Sequence, residues 1–234
     1  MDWTFTPDEF AHIWCETGSD RLPFPLRVIA TPGTENEAEQ LRITLAERLP
    51  ARSDPDLSAC LRILAEPHTR IVVVGGTNQP GNELRLLAAC VYDHAVLAVQ
   101  RPGTTPDFGG HVDISIGHSA KLGKRIAALL PPAPPGTEPA RVASDDAVRD
   151  EQAVAAPRSV AARIRRLLLA PHTAEGHIRI EMRLDRPAQP PPIHYTWIDV
   201  NDDGRYLIRA GGEVHITPAS PEQIAVQLQK RIPG

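Results

Sequence analysis

Apolar positions recur along this chain with two periods, one helical and one extended. Six segments carry the helical period behind a recognisable start. Thr6-Pro7-Asp8-Glu9 is a capping box with proline at the first helical position, followed by Phe10, Ile13 and Trp14 on one stripe. Thr34-Glu35-Asn36-Glu37 is a second capping box, ahead of Leu41, Leu45 and Leu49. Asp54-Pro55 opens a third helix with Leu57, Leu61 and Leu64, and a fourth is expected from Ser119 to Leu130. A fifth runs from Ser159 to Leu169, and Ser220-Pro221-Glu222-Gln223 starts the last, which carries Ile224, Leu228 and Ile232. The alternating period marks eight strands: Arg70 to Gly75, Leu84 to Val91, Ala95 to Gln100, His111 to Ile116, His177 to Leu184, Ile193 to Asp199, Arg205 to Arg209 and Glu213 to Thr217. Leu22-Pro23-Phe24-Pro25-Leu26 reads as extended, because a residue before proline is pushed out of the helical region.

The order helix, four strands, helix therefore occurs twice. "RILAEPHT" at Arg62 matches "RLLLAPHT" at Arg166, 104 residues on. "GHVDISIG" at Gly110 matches "GEVHITPA" at Gly212 at an offset of 102, which pairs Val112 with Val214, Ile114 with Ile216 and Leu122 with Ile224. Amphipathic helices match by period alone, so the shared Pro-His-Thr and Gly-x-Val-x-Ile carry more weight. Tight turns between consecutive strands imply antiparallel pairing. The expectation is one α+β domain over 1–234, made of an N-terminal half (1–130), a linker (131–157) and a C-terminal half (158–234). Residues 131–157 mix proline, alanine and charge without periodicity and read as a mobile connector.

Composition narrows the function classes. A net charge of −4 and no Lys/Arg stripe give no reason to expect nucleic acid. The longest apolar stretch, Leu86 to Val99, is broken by Asp93 and His94, so no membrane insertion is expected. MDWTFTPDEF is acidic and lacks an apolar core, and is expected not to be a Sec signal. Three widely spaced cysteines read as reduced thiols in a cytoplasmic protein.

Candidate chemistry is sparse. Asp199-Val200-Asn201-Asp202-Asp203-Gly204 begins like a calcium loop, but position twelve is Ala210 and both flanks are strand-like, so it reads as a hairpin turn. Nine histidines have no H-E-x-x-H or C-x-x-C company, and "VVVGGTNQPGNEL" lacks the phosphate-loop lysine and a following helix. No catalytic residue, metal or cofactor is expected. The charged strand His177 to Arg183 reads as a solvated sheet face. If helices gather at the ends of the sheet, that face becomes a docking platform.

Taken in order, "FTPDEFAHIW…LPFPL", "ENEAEQLRITLAERL", "DPDLSACLRILAEP", Trp197-x-Asp199 with Gly204-Arg205-Tyr206, and "VHITPASPEQIAVQL" resemble the EspG family of actinobacterial ESX (type VII) secretion-associated proteins. The resemblance implies a quasi-two-fold core with a central antiparallel sheet and two helical bundles. It implies a cytosolic chaperone without enzymatic activity, which holds the tip of a PPE protein paired with a PE protein, keeps it soluble and directs it to the secretion machine. The hairpin at Thr77 to Asn82 is short where some relatives carry a long excursion. The expected partner surface, placed by region, comprises Thr77, Asn78, Gln79, Pro80 and Asn82, the face bearing Arg179, Glu181 and Arg183, and the last helix with Gln223 and Gln227. Two other readings remain open: a catalytic or metal site between the halves, for instance His111, Asp113 and His215, or a homodimer through an exposed sheet edge. A monomer or weak homodimer is expected.

Calorimetric titration with millimolar calcium is expected to show no specific heat. A saturable signal would overturn the turn reading of Asp199 to Gly204.

Overall fold

A computed structural model describes residues 1–150 and 158–232. In chain order the elements are β1 (Asp2–Phe5), α1 (Pro7–Trp14), α2 (Glu35–Arg48), α3 (Pro55–Ala65), β2 (Thr69–Thr77), β3 (Glu83–Val91), β4 (His94–Thr105), β5 (Phe108–His118) and α4 (Leu122–Ala127). They continue with β6 (Arg141–Ser144), α5 (Asp145–Arg149), α6 (Val160–Leu168), β7 (His172–Met182), β8 (Ile193–Val200), β9 (Gly204–Arg209), β10 (Glu213–Pro218) and α7 (Pro221–Gln229). The capping boxes at Thr6, Thr34 and Ser220 all form, each with its reciprocal pair of hydrogen bonds. No helix among the described residues is long and apolar enough to cross a membrane.

The strands form one sheet in the order β1-β5-β4-β3-β2-β7-β8-β9-β10-β6, and every ladder is antiparallel. β2 and β7 meet at the centre, from Thr69 opposite Met182 to Thr77 opposite Ala174. A half-turn about the Val73–Ile178 pair carries each ladder of the first half onto its counterpart in the second. Through the successive registers it brings Val112 onto Val214 and Ile114 onto Ile216. The Pro-His-Thr match is out of step with this rotation by one residue, and a register shift between His172 and Ala174 absorbs it.

Four elements, β1, α4, β6 and α5, depart from the expected pattern. β1 and β6 were not anticipated; they cap the two edges, on β5 and β10. β6 and α5 lie inside the stretch expected to be a mobile connector. Four-residue edge strands show too little alternation to register as a period. Of that stretch, residues 151–157 lie outside the described residues. The helix expected from Ser119 is a 3₁₀ turn (Ser119–Lys121) followed by α4, which ends at Ala127.

Alternation sorts the strand side chains onto two faces. On one face, Ile71, Val73, Leu86, Leu97, Ile178, Ile180 and Trp197 pack under α4 and α7. These two helices lie side by side over the seam, tied by Gly123 N–H to Gln229 Oε1 and Gln229 Nε2 to Ser119 O, both 3.1 Å. On the opposite face, α1 and α3 cover the first wing through Phe10, Ile13, Leu61 and Leu64. There α5 and α6 cover the last wing through Val148, Ala161 and Ile164. Burying each such large apolar side chain contributes about 1.5–3 kcal/mol. Among the described residues, the middle of this second face, around Arg70, Arg179 and His194, carries no helix.

The hairpin from Trp197 to Ile208 ties the inter-half segment to the sheet. Arg205 is fully buried and grips Asp199 bidentately, Nε to Oδ1 and Nη2 to Oδ2, each 2.6 Å. Its Nη2 also donates to Pro131 O at 2.5 Å and its N–H to Pro134 O at 2.7 Å, while Gly136 N–H donates back to Arg205 O at 3.0 Å. Asp203 accepts from Thr137 N–H at 2.7 Å and from the Tyr206 hydroxyl at 2.5 Å. Burial, and then Asp203, pushes the Tyr206 hydroxyl up to about 12. Asp199 is thus committed to Arg205 and does not face outward as a calcium ligand would. The turn is Asn201-Asp202-Asp203, and positive φ falls on Asp202 (58°) and Gly204 (157°) rather than on Asp203.

A Cβ at Gly204 would stand 2.6 Å from Pro135 O and 2.7 Å from Pro134 O. Gly204→Val therefore has to displace the inter-half strap as well as adopt a strained backbone. A loss of more than about 2 kcal/mol in chemical unfolding is expected. An unchanged midpoint would refute this role.

Candidate partner-binding surface

The β2–β3 hairpin overhangs a cleft of about 730 Å³ at one end of the sheet, on the α4/α7 face. Thr77, Asn78, Gln79, Gly81 and Asn82 form its polar rim; Pro80, also exposed, sits between them at the tip. Asn78 is anchored rather than free: its N–H donates to Thr173 O at 2.9 Å and its side-chain amide to His172 O. The apolar lining comes from Leu84, Leu129, Leu130, Pro131 and Pro132. Leu129 is 39% exposed, a large apolar group held in a concave site. A close approach lies further along the same row of the sheet. The Trp197 ring lies over Gly176 and Gly75, where any Cβ would overlap it at 1.9 Å and 2.9 Å.

The middle of the opposite face carries a polar strip. Glu181 lies 3.5 Å from Arg70 and 3.7 Å from Arg179, and the Arg179 guanidinium stands 5.9 Å from the centre of the half-exposed Phe24 ring. His177 Nε2 is 2.9 Å from His194 Nδ1. Burial first, then His194 and Arg179, hold His177 below the usual histidine value. Arg179 and Glu181 are thus where the alternation put them, on an uncovered sheet face. Arg183 is not with them. It lies beyond the last residue of β7, exposed and with φ 57°, near Tyr92 and Asp185.

Gln223 and Gln227 lie elsewhere again, on α7 beside a groove of about 240 Å³ formed with β8, β9 and β10. The expected partner residues therefore fall in four places: the hairpin cleft, the strip on the other face, the turn after β7 that carries Arg183, and the α7 groove. The alternative constellation does not assemble. Asp113 on β5 is bound by Arg101 at 2.7 Å and by Thr4 at 2.7 Å. His215 is on β10, across seven inter-strand spacings of about 4.8 Å, so about 34 Å away. Among the described residues no three His, Cys, Asp or Glu side chains are grouped so as to hold a metal.

The EspG family model matches residues 6–230. The chain belongs to the EspG family. No curated protein matches it. Among solved structures, its fold is similar to that of EspG5, the type VII secretion system chaperone of Mycobacterium tuberculosis, determined in complex with a PE25-PPE41 dimer. The two align with a TM-score of 0.62 at 17% identity, over 99% of this chain and 95% of the other. At that identity the likeness carries the fold. The family residues quoted from the sequence, Trp197, Asp199, Gly204, Arg205 and Tyr206, have structural work in this EspG protein. Trp197 packs over Gly75 and Gly176, and the other four hold the inter-half strap.

Leu129, Leu130, Pro131, Pro132 and His172 line the cleft, yet the sequence reading passed over them as partner residues. Their signal was available: two leucines at a helix end run straight into prolines, which stop the helix and leave one leucine outward.

The depressed value of His177 has a definite sign. Stability that depends on neutral His177 is present above the unfolded value, near 6.5, and is lost as pH falls through the lower folded value. An NMR titration is expected to place the His177 midpoint below 6.5, and His177→Gln to flatten the fall in Tm between pH 7 and 5. A midpoint at or above 6.5 would contradict the burial argument.

Proposed function

We propose that this protein is a cytoplasmic chaperone of type VII (ESX) secretion. It holds the tip of a PE–PPE-type helical substrate, keeps it soluble and hands it to the secretion machinery. The observation that carries this reading is the cleft under the β2–β3 hairpin in an EspG family member. Apolar Leu84, Leu129 and Leu130 are presented in a concavity rimmed by Thr77 to Asn82. Exposed apolar surface at the tip of a helical pair is an aggregation hazard, and a concave apolar site removes it from water. EspG5 itself was determined bound to a PE25-PPE41 dimer, which is the kind of partner proposed here. A standard interface of about 1,600 Å² exceeds the cleft alone, so the contact extends from the hairpin onto neighbouring surface. The sites noted above require no covalent chemistry for this task.

Co-expression with candidate PE–PPE pairs followed by size exclusion is expected to give a co-eluting complex and a more soluble pair. If no pair co-elutes and solubility is unchanged, the reading fails. Leu129→Arg is expected to weaken the complex about tenfold or more at unchanged Tm, as for a central apolar anchor, while Arg163→Gln on the distant α6 leaves it intact. Equal affinity for the Leu129 variant would place the contact elsewhere.

A further inference from the structure

The rotation that relates the two halves of the sheet sets two sites in equivalent positions on the α4/α7 face, one beside each helix. On the first wing the site is filled. Leu86 and Val99 supply apolar floor, and Asp113 is taken by Arg101. Arg125 of α4 donates to Ser115 Oγ and lies across Gly117, where a Cβ would stand 2.7 Å from its Nη1.

On the last wing the same positions read differently. Tyr195 stands in the place of Leu86, Arg209 in that of Val99, and Gln227 in that of Arg125. Arg231 replaces Leu129 by the helix offset. Gln227 does not bridge to Thr217 as Arg125 does to Ser115, and a groove of about 240 Å³ stays open. Four of its polar side chains, Tyr195, Arg209, Gln227 and Arg231, make no side-chain hydrogen bond among the described residues. Tyr195 is only 6% exposed and its hydroxyl makes no hydrogen bond there. Arg231 Nε is buried without a partner, and the side chains of Arg209 and Gln227 make no hydrogen bond to a described residue. The carboxylate at the rim, Glu213, faces His215 at 3.4 Å. A buried donor without an acceptor is costly, and Arg231 Nε is one; with the exposed cation Arg209 beside it, the groove favours an anionic acceptor.

We infer that the groove between α7 and strands β8–β10 binds an acidic side chain of the partner protein. Arg209 and Arg231 provide charge, while Tyr195 and Gln227 provide neutral donors. A carboxylate satisfies all of them, because it accepts only and can take several hydrogen bonds at once. The identity of the partner rests on the chaperone reading; the groove and its donors do not.

The test uses the full chain with two probe peptides, acetyl-hexaglutamate amide and acetyl-hexaglutamine amide, followed by NMR. The glutamate peptide is expected to give saturable shifts in α7, β9 and β10 that weaken with salt, and the glutamine peptide much weaker ones. Arg209→Gln combined with Arg231→Gln is expected to weaken binding about tenfold or more, the scale of a lost charge-assisted hydrogen bond. Arg125→Gln on the first wing is expected to leave it unchanged. Equal binding of the two peptides, an unaltered double variant, or shifts confined to the arginines of α6 would each overturn the inference. Because no secretion substrate enters the assay, these outcomes are independent of whether a PE–PPE pair co-elutes.

Discussion

The ladder between β2 and β7 is the joint on which the molecule depends. Each half alone would present a half-sheet with an unpaired inner edge, an open template for association. Pairing Thr69 to Thr77 with Ala174 to Met182 removes both edges at once. It also fixes which side chains share a face, since a one-residue slip would turn every residue of one half over. With this register, Val73 and Ile178 point under α4 and α7, while Val72 and Arg179 point the other way. The α4/α7 pair can then span the seam, and the remaining helices must settle on the two wings of the other face. The bare strip between those wings follows from the same geometry. So do the equivalent sites beside α4 and α7, of which the second is an open groove.

The second constraint is the buried Asp199–Arg205 pair. Its net contribution to stability is small, because desolvating both charges offsets their attraction. Removing either partner alone would cost about 3–5 kcal/mol by stranding the other. Its value lies in position: Arg205 has donors left over, and they hold Pro131 and Pro134. A proline-rich segment cannot build its own ladder, since proline has no N–H to give. It is tied down instead by its carbonyls, which accept from Arg205, and by Gly136 and Thr137, whose N–H groups remain. This places Pro131 and Pro132 at the cleft wall. The family's most recognisable residues thus shape the candidate site from beneath it.

Much of this organisation was legible in the sequence, for reasons that can be named. Alternation located eight strands, and capping residues located the helix starts, because both are local chemistry. β1 and β6 escaped notice because short edge strands are defined by the neighbour they cap, not by their own pattern. The strap escaped because its order comes from Arg205, Asp203 and Tyr206, and α5 because its order comes from Gly212 and the last-wing core on β9 and β10, all more than fifty residues away. The partner surface was legible only by region. Thr77 to Asn82 reach the cleft because a hairpin must project from the sheet end. Arg183 was misplaced because β7 stops at Met182 and the chain turns with positive φ. His111, Asp113 and His215 looked combinable only while the strand order was unknown.

Quasi-symmetry also explains how one molecule can hold both a rigid scaffold and a specific contact. Val112 and Val214, or Ile126 and Leu228, sit at equivalent places in the core and stay apolar, since packing tolerates only small changes of volume there. Positions on the rim carry no such restriction. At one pair of equivalent sites Arg125 closes over Ser115; at the other, Gln227 is too short and uncharged to do the same across Thr217. The change leaves the fold untouched and opens a groove whose donors then need an external acceptor. A quasi-symmetric framework of this kind permits a contact on one wing while the other remains packed. Comparing equivalent positions within a single chain therefore separates residues kept for folding from residues released for recognition.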